Sequence, residues 1–351
     1  MAWAIPEHSR NQVDKAGFAI ADPNTSGADL VWAYDVINNW RAAHSFPLNT
    51  FQMHLRGKIK RMKKGVLVAQ RIKRLDSIIS KIGRGQTSTI QLSQMQDIGG
   101  CRAVLPFNSD VRALVASYKS SKLLHKLKGE KDYITYPKPD GYRCHHLVYQ
   151  YFGKGENGSP YDKLRIEIQL RTAQQHAWAT ALEAVGIFTR QALKSNQGSE
   201  DWLRFFALTS SAIAALENEA PVPGTPENKT VLIDELAYLA AKLDVKNVLE
   251  NYGNIIPYVS GTGATTAKYY LVHLNSEAKT TRITRFKVDQ SEMANEKYLE
   301  LERLYGPSHR DQVVLVSVDS VRALRRAYPN YFIDTKRFVN LMNTLLVADA
   351  R

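Results

Sequence analysis

The chain has 351 residues, of which 44% are hydrophobic, 23% charged and 9% aromatic. This composition is typical of a globular protein and excludes fibrous and low-complexity chains, and the length predicts two or three domains. No apolar run reaches the roughly 18 residues that span a membrane, and the N-terminus lacks the basic-then-apolar order of a secretory signal. We therefore expect a cytoplasmic protein without a membrane partner. The spacing of the two cysteines, Cys101 and Cys144, argues against a structural zinc site or a disulfide.

The net charge of +13, from 47 Lys and Arg against 34 Asp and Glu, predicts an anionic partner. Residues 56–84 hold eleven basic side chains and a single acid, Asp76. A second basic cluster spans residues 119–131. Either run alone fits a solvated face, whereas two runs beside one site favour an RNA held by nonspecific phosphate contacts. The candidate RNA-binding residues are Lys60, Arg61, Lys63, Lys64, Lys122, Lys126 and Lys128.

The hydrophobic pattern predicts a mixed α/β domain in the first two thirds of the chain. Apolar residues at three- and four-residue steps predict helices over residues 28–43 and 50–81, the second interrupted near Gly65. The period then changes, and strands are predicted over residues 101–105, 143–152 and 163–171. Helical spacing returns over residues 172–190, 199–218 and 229–243. The expected fold class is α/β (α+β), a mixed β-sheet flanked by helices.

A smaller β/α unit is predicted at the C-terminus, after a proline-rich turn at 221–226 and a Gly- and Thr-rich stretch at 260–268. Its predicted strands are residues 268–274, 280–288 and 311–318, and its predicted helices lie near 293–304, 319–327 and 334–346. The strand and helix order resembles a zinc finger without zinc ligands, since no cysteine follows Cys144. We expect a first domain over residues 1–222, a helical linker over 223–262 and a regulatory domain over 263–351.

The segment RIKRLDSIISKIGR, residues 71–84, predicts a phosphate grip. Polar residues recur in it at three- or four-residue steps, which would place them near one face of a helix, with Arg71 just beside that face. The residues at this spacing are Lys73, Ser77, Lys81 and Arg84. Such a row can bind a triphosphate and leave an arginine plane for a base.

Two further segments contribute acids. In MQDIGGCR, Asp97 precedes two glycines that allow a ligand to approach the backbone, and an acid there could hold a cation such as Mg²⁺. In RIEIQLRT, alternate residues of a predicted strand are polar and share one face. These residues are Arg165, Glu167, Gln169 and Arg171. A solvated strand face would explain the same pattern.

The loop DYITYPKPDGYRCHH, residues 132–146, is punctuated by prolines and Gly141 and carries Lys138, Tyr142 and His146. An aromatic ring on a rigid turn beside cations can stack on a base. Each segment alone also fits a purely structural role. Together they supply two carboxylates, a phosphate grip and a base platform, which are the components of metal-assisted phosphoryl-type transfer.

The four segments resemble, in this order, the synthetase domain of the RelA/SpoT alarmone synthetases and their small single-domain relatives. The matching patterns are RxKxxxSIxxKxxR, MxDIxGxR, PKxxGYxxxH and IEIQxRT. The resemblance implies a pyrophosphokinase that transfers a pyrophosphoryl group from ATP to the 3′-hydroxyl of an acceptor nucleotide. It implies that Asp97 and Glu167 are catalytic and hold Mg²⁺, and that Glu167 helps to activate the hydroxyl. The implied ATP-binding residues are Arg71, Lys73, Ser77, Lys81, Arg84 and Arg112. The implied acceptor-binding residues are Lys138, Tyr142, His146, Gln169 and Arg171.

A basic synthetase domain followed by a small β/α tail is similar to the fused toxic small alarmone synthetases of the CapRel type, which act in anti-phage toxin–antitoxin systems. This resemblance implies pyrophosphorylation of the 3′-CCA end of tRNA, which blocks translation. It also implies inhibition by the C-terminal domain and release by a phage protein, with the major capsid protein as one candidate. Tyr328 and Tyr331 match a YxxY element that in the family occupies the adenine site, with Arg71 and Arg112 as candidate stacking partners.

Two alternatives to the tRNA-modifying toxin remain open. The first is a synthetase that uses only a guanosine or adenosine nucleotide as acceptor, which would leave the two basic runs unexplained. The second is a noncatalytic RNA-binding regulator, against which the presence of Asp97 and Glu167 argues.

Overall fold

The computed structural model of the chain describes residues 3–62, 66–83, 90–189, 191, 193, 198–253, 258–263, 267–275, 277–278, 280–305, 311–318, 320–329 and 335–347. The helices are α1 (Arg10–Ala21), α2 (Gly27–Ala43), α3 (Ser45–Lys60), α4 (Leu75–Gly83), α5 (Asn108–Lys119), α6 (Ala173–Phe188), α7 (Glu200–Leu216), α8 (Lys229–Lys242), α9 (Val245–Gly253), α10 (Ser291–Tyr305), α11 (Val321–Ala327) and α12 (Lys336–Val347). The strands are β1 (Leu67–Ile72), β2 (Gly99–Leu105), β3 (Lys126–Asp132), β4 (His145–Gln150), β5 (Arg165–Thr172), β6 (Tyr258–Gly263), β7 (Tyr269–Asn275), β8 (Thr280–Phe286) and β9 (Asp311–Ser317). None of the helices in these ranges has the length and apolar character that crossing a membrane requires.

Strands from both ends of the chain form one mixed sheet, which in the described residues has the order β3-β4-β5-β2-β1-β9-β7-β8-β6. β2 is parallel to β5 and β6 is parallel to β8, whereas the other neighbours are antiparallel. The expectation of a mixed α/β fold is confirmed.

The main core lies between one face of the N-terminal strands and helices α1 to α5. Its largest fully buried side chains include Phe51 and Tyr118. Helix α1 begins with a capping box in which Ser9 and Gln12 satisfy each other's backbone amides, and it buries Val13 and Ile20. Each such apolar side chain contributes about 1.5–3 kcal/mol when it leaves water. The opposite face of the sheet carries polar side chains along β5 and an apolar cluster that includes Leu67 and Ala69 along β1.

Residues 67–72 form a central strand, so the helix predicted over 50–81 is wrong in this part. Along β1, Leu67 and Ala69 pack on one side of the sheet while Val68 faces the main core on the other. An apolar run buried on both faces has no clear period, and its pairing with β2 and β9 decides its structure. As a result Arg71 lies on a strand, and Lys73 precedes α4 instead of sharing its face.

The C-terminal strands continue the N-terminal sheet through β9, which pairs with β1 at Gln70↔Ser317 and Arg71↔Val316. The predicted boundaries at 222 and 263 therefore do not interrupt the sheet. Helices α8 and α9, in the predicted linker, share a second core with α6, α7 and α12 around Trp178, Phe205 and Phe338. The three-part domain division and the zinc-finger likeness stay predictions. Strands β3 and β6 were not predicted.

Candidate active site

One face of the sheet carries the polar residues that the sequence predicted for a site. Paired residues on adjacent strands point to the same face. The register therefore places Glu167 beside Gly100, and Gln169 between Arg102 and His146. The residues that alternate with them lie in the main core on the opposite face: Cys101, Ile166 and Ile168.

Asp97 lies just before β2 and binds two lysines. Lys73 Nζ donates to Oδ2 at 2.8 Å, and Lys81 Nζ donates to Oδ1 at 2.9 Å. The turn between β1 and α4 positions Lys73, whose amide donates to the carbonyl oxygen of Ile98 at 2.8 Å. Burial raises the pKa of Asp97, but the two ammonium groups lower it by more, so that its pKa is well below its usual range. Asp97 is therefore a carboxylate at neutral pH.

Glu167 is held by two donors on its own sheet face. Its Oε1 lies 2.9 Å from His146 Nδ1, and its Oε2 accepts from Gln169 Nε2 at 2.6 Å. Burial raises the pKa of Glu167, while His146 and Gln169 lower it, and the net pKa is below its usual value. Burial lowers the pKa of His146, but its neighbours, Glu167 among them, raise it well above its usual value. Glu167 and His146 thus form a buried ion pair.

The two acids interact with each other. The charge of Asp97 raises the pKa of Glu167, so the carboxylates lie within electrostatic range. Asp97 precedes β2, in which Gly100 carries no side chain and pairs with both Glu167 and Arg71. Carboxylate oxygens are the ligands that Mg²⁺ prefers, and the ion usually takes one or two of them together with phosphate oxygens. The pair Asp97 and Glu167 fits this requirement.

The loop before β4 is fixed by its glycine. Gly141 has φ +86°, and a Cβ at this position would lie 3.0 Å from Trp178 Cζ2 and 3.1 Å from the carbonyl oxygen of Phe206. The loop presents Tyr142, whose hydroxyl lies 2.9 Å from His146 Nε2. Lys138 Nζ lies 5.5 Å from the centroid of the Tyr142 ring. Burial raises the pKa of Tyr142 to about 12. Tyr142, with Lys138 beside its ring, thus contacts the His146 side chain that pairs with Glu167.

Two residues that the sequence reasoning missed connect the site face to the C-terminal part of the chain. Arg102 donates to Gln169 Oε1 from Nη2 at 3.2 Å, and its guanidinium carbon lies 6.0 Å from the centroid of the buried Tyr328 ring. Arg102 is the arginine that closes the pattern MxDIxGxR, which is the signal that could have identified it.

The second missed residue is His176, for which the sequence gives no signal. Its Nδ1 accepts from Arg171 Nη2 at 2.5 Å, which makes Nε2 the protonated nitrogen that donates to the carbonyl oxygen of Arg326 at 3.0 Å. Burial, with the charges of Arg171 and Arg102, lowers the pKa of His176 well below its usual value. A neutral imidazole therefore joins the end of β5 to the end of α11.

The structure does not bring Arg112 into the contacts around Asp97 and Glu167, and its role in ATP binding stays a prediction. Arg112 lies on α5, which packs on the core face of the sheet through Val111 and Leu114. Its Nη2 lies 2.6 Å from both carboxylate oxygens of Glu219. In the described residues Arg112 thus pairs with Glu219, outside the group of contacts around Asp97 and Glu167.

The remaining predicted residues are distributed as follows. Ser77 is partly buried on α4, one turn before Lys81. Exposed basic residues of the RNA prediction are Lys60, Arg61, Lys122, Lys126 and Lys128. Outside the described residues lie Lys63, Lys64, Arg84 and Tyr331.

The region that holds the site matches a known family. Residues 70–191 match the family model described as a region found in RelA / SpoT proteins. Two proteins of Bacillus subtilis (strain 168), GTP pyrophosphokinase YwaC and GTP pyrophosphokinase YjbM, are 34% and 32% identical to the chain over 113 residues. Each match covers 52% of the relative and 31% or 32% of this chain, so the chain spans about half the length of these relatives.

Similar solved structures are small alarmone synthetases of Bacillus subtilis. Small alarmone synthetase 2 has a TM-score of 0.43 at 22% identity, over 51% of this chain and 93% of that chain. Small alarmone synthetase 1 bound to its product pppGpp has a TM-score of 0.41 at 24% identity, over 49% of this chain and 88% of that chain. The family match therefore covers the part of the chain that holds Asp97, Tyr142 and Glu167.

Proposed function

We propose that residues 70–191 form a pyrophosphokinase site, which transfers a pyrophosphoryl group from ATP to the 3′-hydroxyl of a guanosine or adenosine nucleotide. The observation that carries the proposal is the placement of two carboxylates: Asp97, bound by Lys73 and Lys81, directly precedes the strand whose Gly100 pairs with Glu167. The migrating group is polyanionic, so fixed positive charge and positioning supply most of the acceleration. The names of the two relatives, both GTP pyrophosphokinases, support a guanosine acceptor.

In this proposal the donor side binds ATP. Lys73 and Lys81 would exchange part of their contact with Asp97 for phosphate oxygens, and Arg71 and Ser77 lie on the adjoining β1 and α4. Asp97 and Glu167 would hold Mg²⁺, which when bound neutralises phosphate charge. The protein's own groups orient the triphosphate so that its β-phosphorus faces the acceptor.

The transfer itself breaks one bond and forms one. The acceptor 3′-oxygen bonds to the β-phosphorus of ATP, the bond from that phosphorus to the bridging oxygen of the α-phosphate breaks, and AMP leaves. The hydroxyl proton passes to the carboxylate of Glu167, which is held ionised by His146 and Gln169. Because the pKa of Glu167 is low, it accepts the proton only as the new bond forms.

The acceptor side is aromatic. Tyr142, with Lys138 beside it, would stack on the acceptor base, while His146, Gln169 and Arg171 would line the site. The network from Tyr142 through His146 to Glu167 ties the base platform to the group that receives the proton. Base stacking and proton transfer would then share one rigid geometry.

A tRNA acceptor is the second candidate, and a specific observation favours it. The exposed edge strand β3 carries Lys126 and Lys128, and Lys122 is exposed just before it. Strand β3 pairs with β4, which bears His146, so a polyanion along this edge would reach the acceptor side. A free nucleotide is too small to contact all of these lysines, whereas an RNA backbone can.

We also propose that the C-terminal part inhibits the site and that a phage protein releases it. The contact of Tyr328 with Arg102 and the bond from His176 to the carbonyl oxygen of Arg326 support an inhibitory role, because both attach the end of α11 to the acceptor side. A ring over the Arg102 guanidinium would compete with a nucleobase for the same surface.

The experiment that tests these proposals is a transfer assay. Purified protein is incubated with Mg²⁺, ATP labelled in its γ-phosphate, and either GDP, ADP or tRNA. Label in a nucleotide supports the first candidate, and label in tRNA supports the second. Absence of transfer to every acceptor, also with the Tyr328→Leu variant, would overturn the enzymatic proposal.

A further inference from the structure

A buried carboxylate from the C-terminal helix α10 holds the segment that carries the phosphate-binding lysine. Glu302 Oε2 accepts from Arg41 Nη1 at 2.6 Å, and Glu302 Oε1 accepts from Arg41 Nη2 at 3.1 Å. The Arg41 side chain is 2% exposed and that of Glu302 10% exposed. Tyr298 Oη donates to Glu302 Oε1 at 2.6 Å and accepts from Arg41 Nη2 at 2.8 Å.

This cluster binds the backbone on both sides of the turn between β1 and α4. Arg41 Nε donates to the carbonyl oxygen of Lys73 at 3.0 Å. Glu302 Oε1 accepts from the amide of Leu75, the first residue of α4, at 3.1 Å. A carboxylate at that position also satisfies the positive end of the helix dipole. The side chain of Lys73, which binds Asp97, therefore starts from a backbone that Glu302 and Arg41 fix.

We propose that Glu302 is a positioning residue for the nucleoside triphosphate, acting through Lys73 and α4, so that the C-terminal part builds the donor side of the site as well as covering its acceptor side. This inference rests on the proposed function, because it assumes that Lys73 and Lys81 bind the phosphates.

The chemistry of the pair gives the expected size of the effect. Burial lowers the pKa of Arg41, and Glu302 together with Tyr298 more than compensates for this, so that the net pKa lies above its usual value. Replacing Glu302 with Gln keeps an acceptor oxygen but leaves the buried guanidinium without its counter-charge. The bond to the Leu75 amide then loses its charge assistance, and Arg41, which binds the carbonyl oxygen of Lys73, loses the carboxylate that orients it. A loss of this kind corresponds to about a tenfold change in affinity.

The test measures the Kd of the full chain for a nonhydrolysable ATP analogue and, separately, for GDP. We expect Glu302→Gln to raise the Kd for the analogue about tenfold and Tyr298→Phe to raise it about threefold. The Kd for GDP stays within about twofold in both variants. A purely structural role would weaken both ligands together.

Two control variants separate positioning from charge and from docking. Glu300→Gln removes the same charge from the same helix, where Glu300 is exposed and pairs with Lys297. Gln312→Ala removes another contact between the two parts of the chain, the bond from Arg74 Nη1 at 3.0 Å, without touching the backbone of the turn. Both controls are expected to bind the analogue as the unmodified chain does.

Each outcome decides the inference. If Glu302→Gln and Tyr298→Phe bind the analogue as tightly as the unmodified chain, or if GDP binding falls in parallel, Glu302 has no positioning role. If Glu302→Gln does not fold, Tyr298→Phe alone decides, because it keeps the ring and the ion pair. If the unmodified chain fails to bind the analogue, the proposed function falls and the inference with it.

Discussion

The donor and acceptor sides of the candidate site are built in different ways. On the donor side, Asp97 lies between two ammonium groups and forms an ion pair with each of them. On the acceptor side, a chain of hydrogen bonds runs from Tyr142 through His146, Glu167 and Gln169 to Arg102. Paired charges can be exchanged for phosphate oxygens with little rearrangement, whereas a bonded chain fixes the orientation of each member. The donor side is therefore suited to binding a charged group, and the acceptor side to fixing the orientation of its ligand.

The largest expected effect comes from removing the acid at which each side is anchored. Asp97→Ala and Glu167→Ala should each lower turnover at least about a hundredfold, because each removes a preorganised electrostatic contact. Turnover is measured with saturating ATP and acceptor, with Asp201→Ala as the control, since Asp201 pairs with Lys242 outside the site. Rates like those of the unmodified chain in both variants would contradict the assignment.

A smaller effect should separate the two sides. Lys81→Ala is expected to raise the KM for ATP about tenfold with little change in the KM for the acceptor, because Lys81 binds Asp97 on the donor side. Tyr142→Leu is expected to do the reverse, since it removes a stacking surface worth about 1–3 kcal/mol. Initial rates with each substrate varied in turn measure both constants.

Matched substitutions at exposed positions control this comparison. Lys297→Ala and Tyr238→Leu change the same residue types on the C-terminal part and on α8, where both side chains are exposed. If Lys81→Ala and Tyr142→Leu raise both KM values equally, the division into a donor and an acceptor side is wrong.

The sequence predicted which residues share the site face, but not the long-range contacts that fix the backbone of the site. The alternation of polar and apolar residues in RIEIQLRT places Glu167, Gln169 and Arg171 on one face, because a strand has a period of two. The position of Asp97 beside them follows from the parallel pairing of β2 with β5. The Arg41 and Glu302 pair joins residues 261 positions apart, and no local pattern reports such a contact.

The error at β1 has a related cause. Its apolar run reads equally well as a helix, and only the flanking strands β2 and β9 decide between the two. Strand β9 comes from the C-terminal part of the chain. The local hydrophobic pattern of residues 50–81 therefore contains no information about this pairing. The spacing therefore predicts the phosphate grip on one helix, whereas the structure distributes Arg71, Lys73 and Lys81 over a strand, a turn and a helix.

A third prediction concerns the ring that covers the acceptor side. Tyr328→Leu keeps the buried apolar volume but removes the contact with Arg102, and we expect transfer activity of the full chain to rise about threefold to fivefold. Tyr238→Leu, at an exposed position, should leave activity unchanged.

In cells, Tyr328→Ala combined with Tyr331→Ala should increase toxicity without an inducer. Unchanged activity of Tyr328→Leu in the presence of an active enzyme would contradict inhibition through this ring.

The smallest expected effect is on stability and tests whether the donor side is held by charge. The pKa of Asp97 is lowered in the folded protein relative to the ordinary value of 3.8, so its stabilising contribution is complete above that value and is lost as the pH falls through the folded pKa. The free energy of unfolding should therefore fall between about pH 5 and pH 2 by on the order of 1 kcal/mol more than in Asp97→Asn, the size being limited because solvent reaches Lys81. Denaturant unfolding of both proteins across this range measures the difference. Glu167 remains in both proteins, but loss of the Asp97 charge lowers its pKa further in Asp97→Asn, which reduces the difference between the two proteins. If the free energy of unfolding falls equally with pH in the unmodified chain and in Asp97→Asn, the lysine contacts do not stabilise the Asp97 carboxylate. The donor side is then not organised by charge.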